Sequence, residues 1–175
     1  REWRPDQRSD IGFEPQVTRR FSQAVIMAAY SPNAQFWDGR RNGRFVNPET
    51  GTTTIFEEGA LENQALEPIL SRVEMGHTGR TWADVRAKLQ NARPLALAAD
   101  IPADIASVVA SGSTYPQLFA AAFGSVEITA ERIAFAIATY ERTLIPNQTP
   151  WDRFNAGDTN AMTPQQQAGF DVFIA

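Results

Sequence analysis

The chain has 175 residues, 43% hydrophobic and 21% charged, which is enough for one sizeable core or two small ones. Its net charge of −4 leaves no electrostatic case for binding nucleic acid or an anionic membrane surface. It has no cysteine, which excludes disulfides, thiolate metal sites and any Cys-x-x-Cys-His motif, and no apolar run reaches the roughly 18 residues that cross a bilayer.

Arg1 to Thr18 is polar, with Pro5 and Pro15 and no clear period, and reads as an extended arm. The chain opens without an initiator Met, so it reads as processed or incomplete. Ser31-Pro32-Asn33 is turn chemistry that delivers Phe36 and Trp37. Asn47-Pro48-Glu49-Thr50-Gly51 is a turn signal ahead of the β-prone Thr52 to Phe56, which predicts a small hairpin at about 44–57. After Gly59 the period becomes helical. Leu61, Ala65, Pro68 and Ile69 fall on one stripe, with Pro68 ending or kinking the helix. Thr81 caps a helix over Trp82 to Leu89, with Asp84 at its N3 position. Leu95 to Ser111 reads as one or two short helices broken near Pro102. Thr114 and Pro116 start a helix that ends at Gly124. Thr129 caps the clearest helix, in which Ile133, Ile137, Tyr140 and Leu144 form a buried face and Pro146 is the stop. Pro150 to Phe154 is a turn or short helix. Thr163-Pro164-Gln165-Gln166 is a capping-box start, after which Phe170 and Phe173 face inward. The fold class is mostly α with a small hairpin insertion.

Several motifs occur in an order that is more specific than any one of them. They are Gln35-Phe36-Trp37-Asp38-Gly39-Arg40, then Leu61-Glu62-x-Gln64-Ala65-x-x-Pro68-Ile69, then Val73-Glu74-Met75-Gly76. Tyr115-Pro116-x-Leu118-Phe119, Glu141-Arg142-Thr143-Leu144 and Trp151-Asp152-Arg153-Phe154 follow. Together they resemble the bacterial di-haem cytochrome c peroxidases and their relatives, roughly from Arg20 to the end. Those relatives include the methylamine-utilisation enzyme that modifies tryptophan and the di-haem rubber oxygenases. The resemblance implies cytochrome-c-like helical haem domains. Residues 1–146 would be most of the N-terminal, peroxidatic-haem domain, and 147–175 the linker and first helix of a second. Family members carry two Cys-x-x-Cys-His motifs, one before the matched region and one just after it. Both would lie outside these residues.

The same likeness implies roles. Trp37 would relay electrons between two haems c, since indole is oxidisable and has a large π-system. Glu74 would handle protons above the peroxidatic haem. Gln64 would bond the bound oxygen, Pro68 would shape the pocket wall, and Met75 and Phe36 would pack beside the cofactor. Arg20 could pair with a haem propionate. Phe13 would stand where a family loop supplies a removable His. Asp38 and Arg40 would fix the Trp37 turn, and no residue here is expected to ligate a metal. Phe21 falls where many members have an Asn that helps hold calcium, and a phenyl ring offers no oxygen to a hard cation.

The leading expectation is therefore part of a periplasmic or secreted peroxidase that reduces hydrogen peroxide. Its electron donor would be a small c-type cytochrome or cupredoxin, and a homodimer is allowed. One alternative is a di-haem oxidase or oxygenase acting on an organic or protein substrate, in keeping with the insertion from Arg41 to Gly59. The other is a haem-free helical scaffold, which the missing cysteines support.

Overall fold

A computed structural model describes Thr18 and residues 21–175 of the chain. It is mostly helical, with two small antiparallel strand pairs. A 3-10 turn at Ala28–Tyr30 leads into β1 (Ala34–Gln35), which pairs with β2 (Arg41–Asn42) across the Phe36-to-Arg40 turn. β3 (Phe45–Val46) and β4 (Thr53–Ile55) form the expected hairpin. The helices are α1 (Ala60–Leu70), α2 (Trp82–Asn91), α3 (Ala103–Ala110), α4 (Tyr115–Phe123), α5 (Ala130–Glu141), α6 (Pro150–Asn155) and α7 (Pro164–Ile174).

The helix starts follow local chemistry. Thr81, Thr114, Thr149 and Thr163 each accept a bond from the N3 backbone N–H, while the N3 side chain returns one to the cap. Thr129 caps α5 through the Arg132 N–H. Between Leu95 and Ser111 only α3 is helical; turns occupy the part before Pro102.

The core forms where α1 lies against α5. Leu66, Ile69, Val85, Phe119, Ile128, Ile133 and Ala134 make one buried cluster, and Phe45 of the hairpin is completely covered within it. The insertion is therefore part of the core. Its Phe45 ring packs on Phe135, with centroids 5.8 Å apart. Its Glu49 accepts from the Ala130 N–H at 2.7 Å, at the positive end of α5, and pairs with Arg86 of α2.

Three expectations are corrected. The helix through Ile133 stops at Glu141, well before Pro146, and Tyr140 is 65% exposed. Ala130, Ile133, Ala134 and Ala138 supply the covered face, since small residues let α5 approach α1 closely. Pro68 does not end α1: it lies in the last turn, and the helix continues to Leu70. Phe173 is 85% exposed, because α7 packs on α6 through Phe170, whose ring centroid lies 4.4 Å from that of Trp151.

Candidate functional site

The candidate residues gather around the C-terminal end of α1. Gln64 and Pro68 are four residues apart and share a face of that helix. Pro68 has no N–H, so the Gln64 carbonyl cannot receive its usual helical bond from residue 68. The chain then folds back on the helix end. The Met75 N–H donates to the Pro68 carbonyl at 3.1 Å, and the N–H groups of Glu74 and Gly76 donate to the Ser71 carbonyl at 3.1 and 2.8 Å. Arg80 Nη1 clamps the loop from outside by donating to the Met75 carbonyl at 2.6 Å. Glu74 is thus held half-buried one turn beyond Pro68, beside an exposed Met75. His77 follows on the same loop, with Nδ1 3.0 Å from the Thr78 carbonyl.

Gly76 makes this fold-back fit. A Cβ there would lie 2.7 Å from the Leu70 carbonyl oxygen and 2.8 Å from its carbon, both backbone atoms that cannot swing away. Gly76→Ala should cost about 2 kcal/mol of stability by crowding a packed turn. Urea unfolding checks the cost. A loss below about 0.5 kcal/mol would show that the loop yields easily.

The Trp37 turn is tied to the same helix. Phe36 adopts φ +67° and Gly39 φ +65°, and the Gly39 N–H closes the turn on the Phe36 carbonyl at 3.1 Å. Arg40 pairs with Asp38 at 3.0 Å, as expected, and its guanidinium lies 3.7 Å from the Phe36 ring centroid. Arg40 reaches Glu67 of α1 at 3.8 Å, and Arg41 grips both oxygens of Glu67 at 2.9 Å. Trp37 itself points away from all of this and is 90% exposed. Phe13 and Arg20 lie outside the described residues. Among the described residues no three His, Asp or Glu side chains converge to hold a cation.

Two carboxylates here respond oppositely to pH. Hydrogen bonds from Arg41 hold Glu67 below the ordinary carboxylate range, against its partial burial. Burial pushes Glu141 up. Glu67 therefore adds stability above the ordinary carboxylate pKa that is lost as pH falls through its lowered folded value. Glu141 adds stability below that ordinary pKa, lost as pH rises through its raised folded value. Glu67→Gln should flatten the stability loss between about pH 5 and pH 3, read by urea midpoints across that range. An unchanged acid limb would show that Glu67 is not responsible.

One positioning pair stands within the quoted motifs, but nothing in them shows that its two members meet. Glu62 is 4% exposed and takes Arg142 Nη1 and Nη2 at 2.6 and 2.9 Å, joining α1 to the end of α5. A charge within the stripe of Leu61, Ala65, Leu66 and Ile69 could have marked it. A cleft of about 510 Å³ opens between the hairpin, α1 and α2, lined in part by Phe45, Leu66, Leu70 and Trp82. None of Gln64, Pro68, Glu74, Met75 or Trp37 lines it, and its Arg41 and Glu67 already satisfy each other.

The comparisons with known proteins identify the family. The family model of di-haem cytochrome c peroxidase matches residues 1–160. The cytochrome c551 peroxidase of Nitrosomonas europaea is 30% identical over 140 residues, covering 80% of this chain and 30% of that protein. The cytochrome c peroxidase Ccp of Escherichia coli K12 is 30% identical over 139 residues, covering 79% of this chain and 21% of that protein. Methylamine utilization protein MauG of Methylophilus methylotrophus is 39% identical over 83 residues, covering 46% of this chain and 25% of that protein. The chain thus spans between 21% and 30% of the length of these relatives. The family model over most of the chain and the two 30%-identical peroxidases that cover about four fifths of it lead to one statement: the chain belongs to the di-haem cytochrome c peroxidase family.

Proposed function

We propose that these residues form the inter-haem portion of a periplasmic di-haem peroxidase that reduces hydrogen peroxide. Residues 1–146 belong to the peroxidatic domain and 147–175 begin the second haem domain. The supporting observation is the fold-back at the end of α1, where the Met75 N–H donates to the Pro68 carbonyl and returns the chain at Glu74 to the end of the helix that carries Gln64 and Pro68. The bare outer side of α7, with Val172, Phe173 and Ile174 uncovered, suits a helix that packs on further chain.

The residues present fit the wall of a haem site and not its anchor. There is no thiol to form a thioether, and the one imidazole lies on a loop beside its own backbone. Pro68, Met75 and Trp37 offer apolar surface of the kind a flat macrocycle needs, with Met75 and Trp37 both exposed. A haem held at this wall would supply the electrons that break the O–O bond. Hydrogen peroxide takes up two electrons and two protons and leaves as two waters. Glu74 takes a proton from one peroxide oxygen and returns it to the departing hydroxyl. Gln64 would donate its amide to a peroxide oxygen. Trp37 would carry electrons between the haems, delivered by a small redox protein.

A second reading keeps the haems and oxidises an organic or protein substrate. The similarity to the methylamine utilization protein and the core-integrated hairpin favour it. Intact mass and a pyridine haemochrome spectrum of the native polypeptide test both. A mass well above that of these 175 residues, with covalent haem c, is expected; this chain's mass without haem absorbance would overturn both. Trp37→Ala then separates them. Peroxide turnover with a reduced cytochrome should fall at least about tenfold, as expected when binding is intact and a transfer step is impaired. Full organic-substrate oxidation without Trp37 would favour the second reading.

A further inference from the structure

Two side-chain amides lie directly behind the Trp37 turn. Gln35 is 5% exposed, and its Nε2 donates to the Ser31 carbonyl at 2.8 Å and the Ala28 carbonyl at 3.4 Å. With its donors committed there, its Oε1 faces the other way and accepts from Gln23 Nε2 at 2.9 Å. The Gln23 oxygen in turn accepts from the Phe36 N–H at 3.2 Å. Inverting either amide would set donor against donor or oxygen against carbonyl, so the order of the chain is fixed by its ends.

That chain ends on the residue immediately before Trp37. Phe36 occupies the left-handed region at φ +67°, which a Phe holds only when its surroundings require it. Trp37 is 90% exposed, so packing against the described residues cannot aim its ring. The backbone direction at Phe36 and Trp37 must do so. The Gly39-to-Phe36 bond and the Arg40 contacts act on the later side of the turn. Gln23 provides a side-chain bond to the peptide ahead of Phe36, beside the β1–β2 pairing of Gln35 with Arg41.

We propose that Gln23 is a positioning residue for Trp37: with Gln35 it forms an amide bracket that holds the left-handed turn and so aims the indole. The consequence for electron transfer rests on Trp37 being the relay; the positioning does not. Gln23 is half-buried at the edge of the structure, so its replacement leaves the core intact.

The test uses the full-length, haem-loaded protein. Gln23→Met keeps the side-chain length and removes both bonds, while Gln23→Glu keeps an acceptor for the Phe36 N–H. Gln23→Met should speed amide exchange across residues 35–38 roughly tenfold, as for the loss of one backbone-anchoring hydrogen bond, and leave α1 exchange unchanged. It should also slow inter-haem electron transfer measured by rapid mixing, and Gln23→Glu, which keeps the Phe36 bond but sets an oxygen against Gln35 Oε1, should restore both in part. Unchanged exchange across residues 35–38 overturns the bracket. Faster exchange with unchanged transfer, in a protein where Trp37→Phe does slow transfer, overturns the positioning role. If Trp37→Phe leaves transfer unchanged, the relay reading fails. Exchange then decides the bracket by itself, faster supporting it and unchanged overturning it.

Discussion

Glu74→Gln in the full-length protein is expected to lower peroxide turnover by about 10²- to 10⁴-fold, the range a positioned proton-transfer group contributes. A carboxamide matches the carboxylate in shape and cannot carry a proton from one peroxide oxygen to the other. The loop around it should survive, because backbone groups hold it: Glu74 and Gly76 through Ser71, Met75 through Pro68, and Arg80 through the Met75 carbonyl. The loss should therefore appear without a matching fall in urea stability. Gln64→Leu tests the neighbouring role. Removing a single hydrogen bond to the reacting oxygen should cost nearer tenfold. Steady-state peroxide consumption with a reduced cytochrome c reads both. Turnover of the Glu74 variant within about threefold of the parent would remove Glu74 from the proton path.

How much of this was legible depended on the range of the interaction. Helix starts were readable because a capping box closes over four residues: Thr81 with Asp84 and Thr163 with Gln166 are both present. The hairpin was readable for the same reason, from the Asn47-to-Gly51 turn. Phe45 as a fully buried core residue was not, since nothing local distinguishes it from Phe56, which is exposed. Tyr140 misled because a periodic stripe does not say how close the partner helix comes. α1 approaches α5 over alanines, and a ring at position 140 lies beyond that contact.

The candidate site divides in the same way. Glu74, Gln64 and Trp37 were picked out by the order of motifs, and no spacing rule would have chosen a lone Glu beside Met75. What places them is long-range or conformational. Arg41 meets Glu67 across 26 positions, and Glu62 meets Arg142 across 80. Gln23 meets Phe36 across 13 positions, at a residue whose backbone is left-handed. The Val-Glu-Met-Gly motif also has a plain steric basis: its glycine is the residue that lets the loop lie on the Leu70 carbonyl.

Arg142→Ala is expected to cost about 3 kcal/mol, the low end for breaking a buried ion pair, because its own side chain is partly exposed. Glu62 is almost entirely covered on α1 and has both oxygens on the Arg142 guanidinium. Removing the arginine leaves that carboxylate desolvated and unpaired. The Glu62 bonds raise the arginine's proton affinity further above its ordinary value, so it stays charged at any working pH. The pair also joins α1, which carries Gln64 and Pro68, to the chain just after α5, where the Leu144 carbonyl accepts the Met27 N–H at 3.1 Å. Its loss should loosen the α1 face on which the proposed chemistry depends. The double change Glu62→Leu with Arg142→Leu separates the two contributions. If desolvation dominates, the double variant should recover most of the stability, since apolar replacements of buried pairs are often neutral. Urea unfolding of the parent, the single and the double variant reads this directly. A double variant as unstable as Arg142→Ala would mean that the pair contributes through orientation of the helices, and turnover should then stay low even where stability is regained by other means.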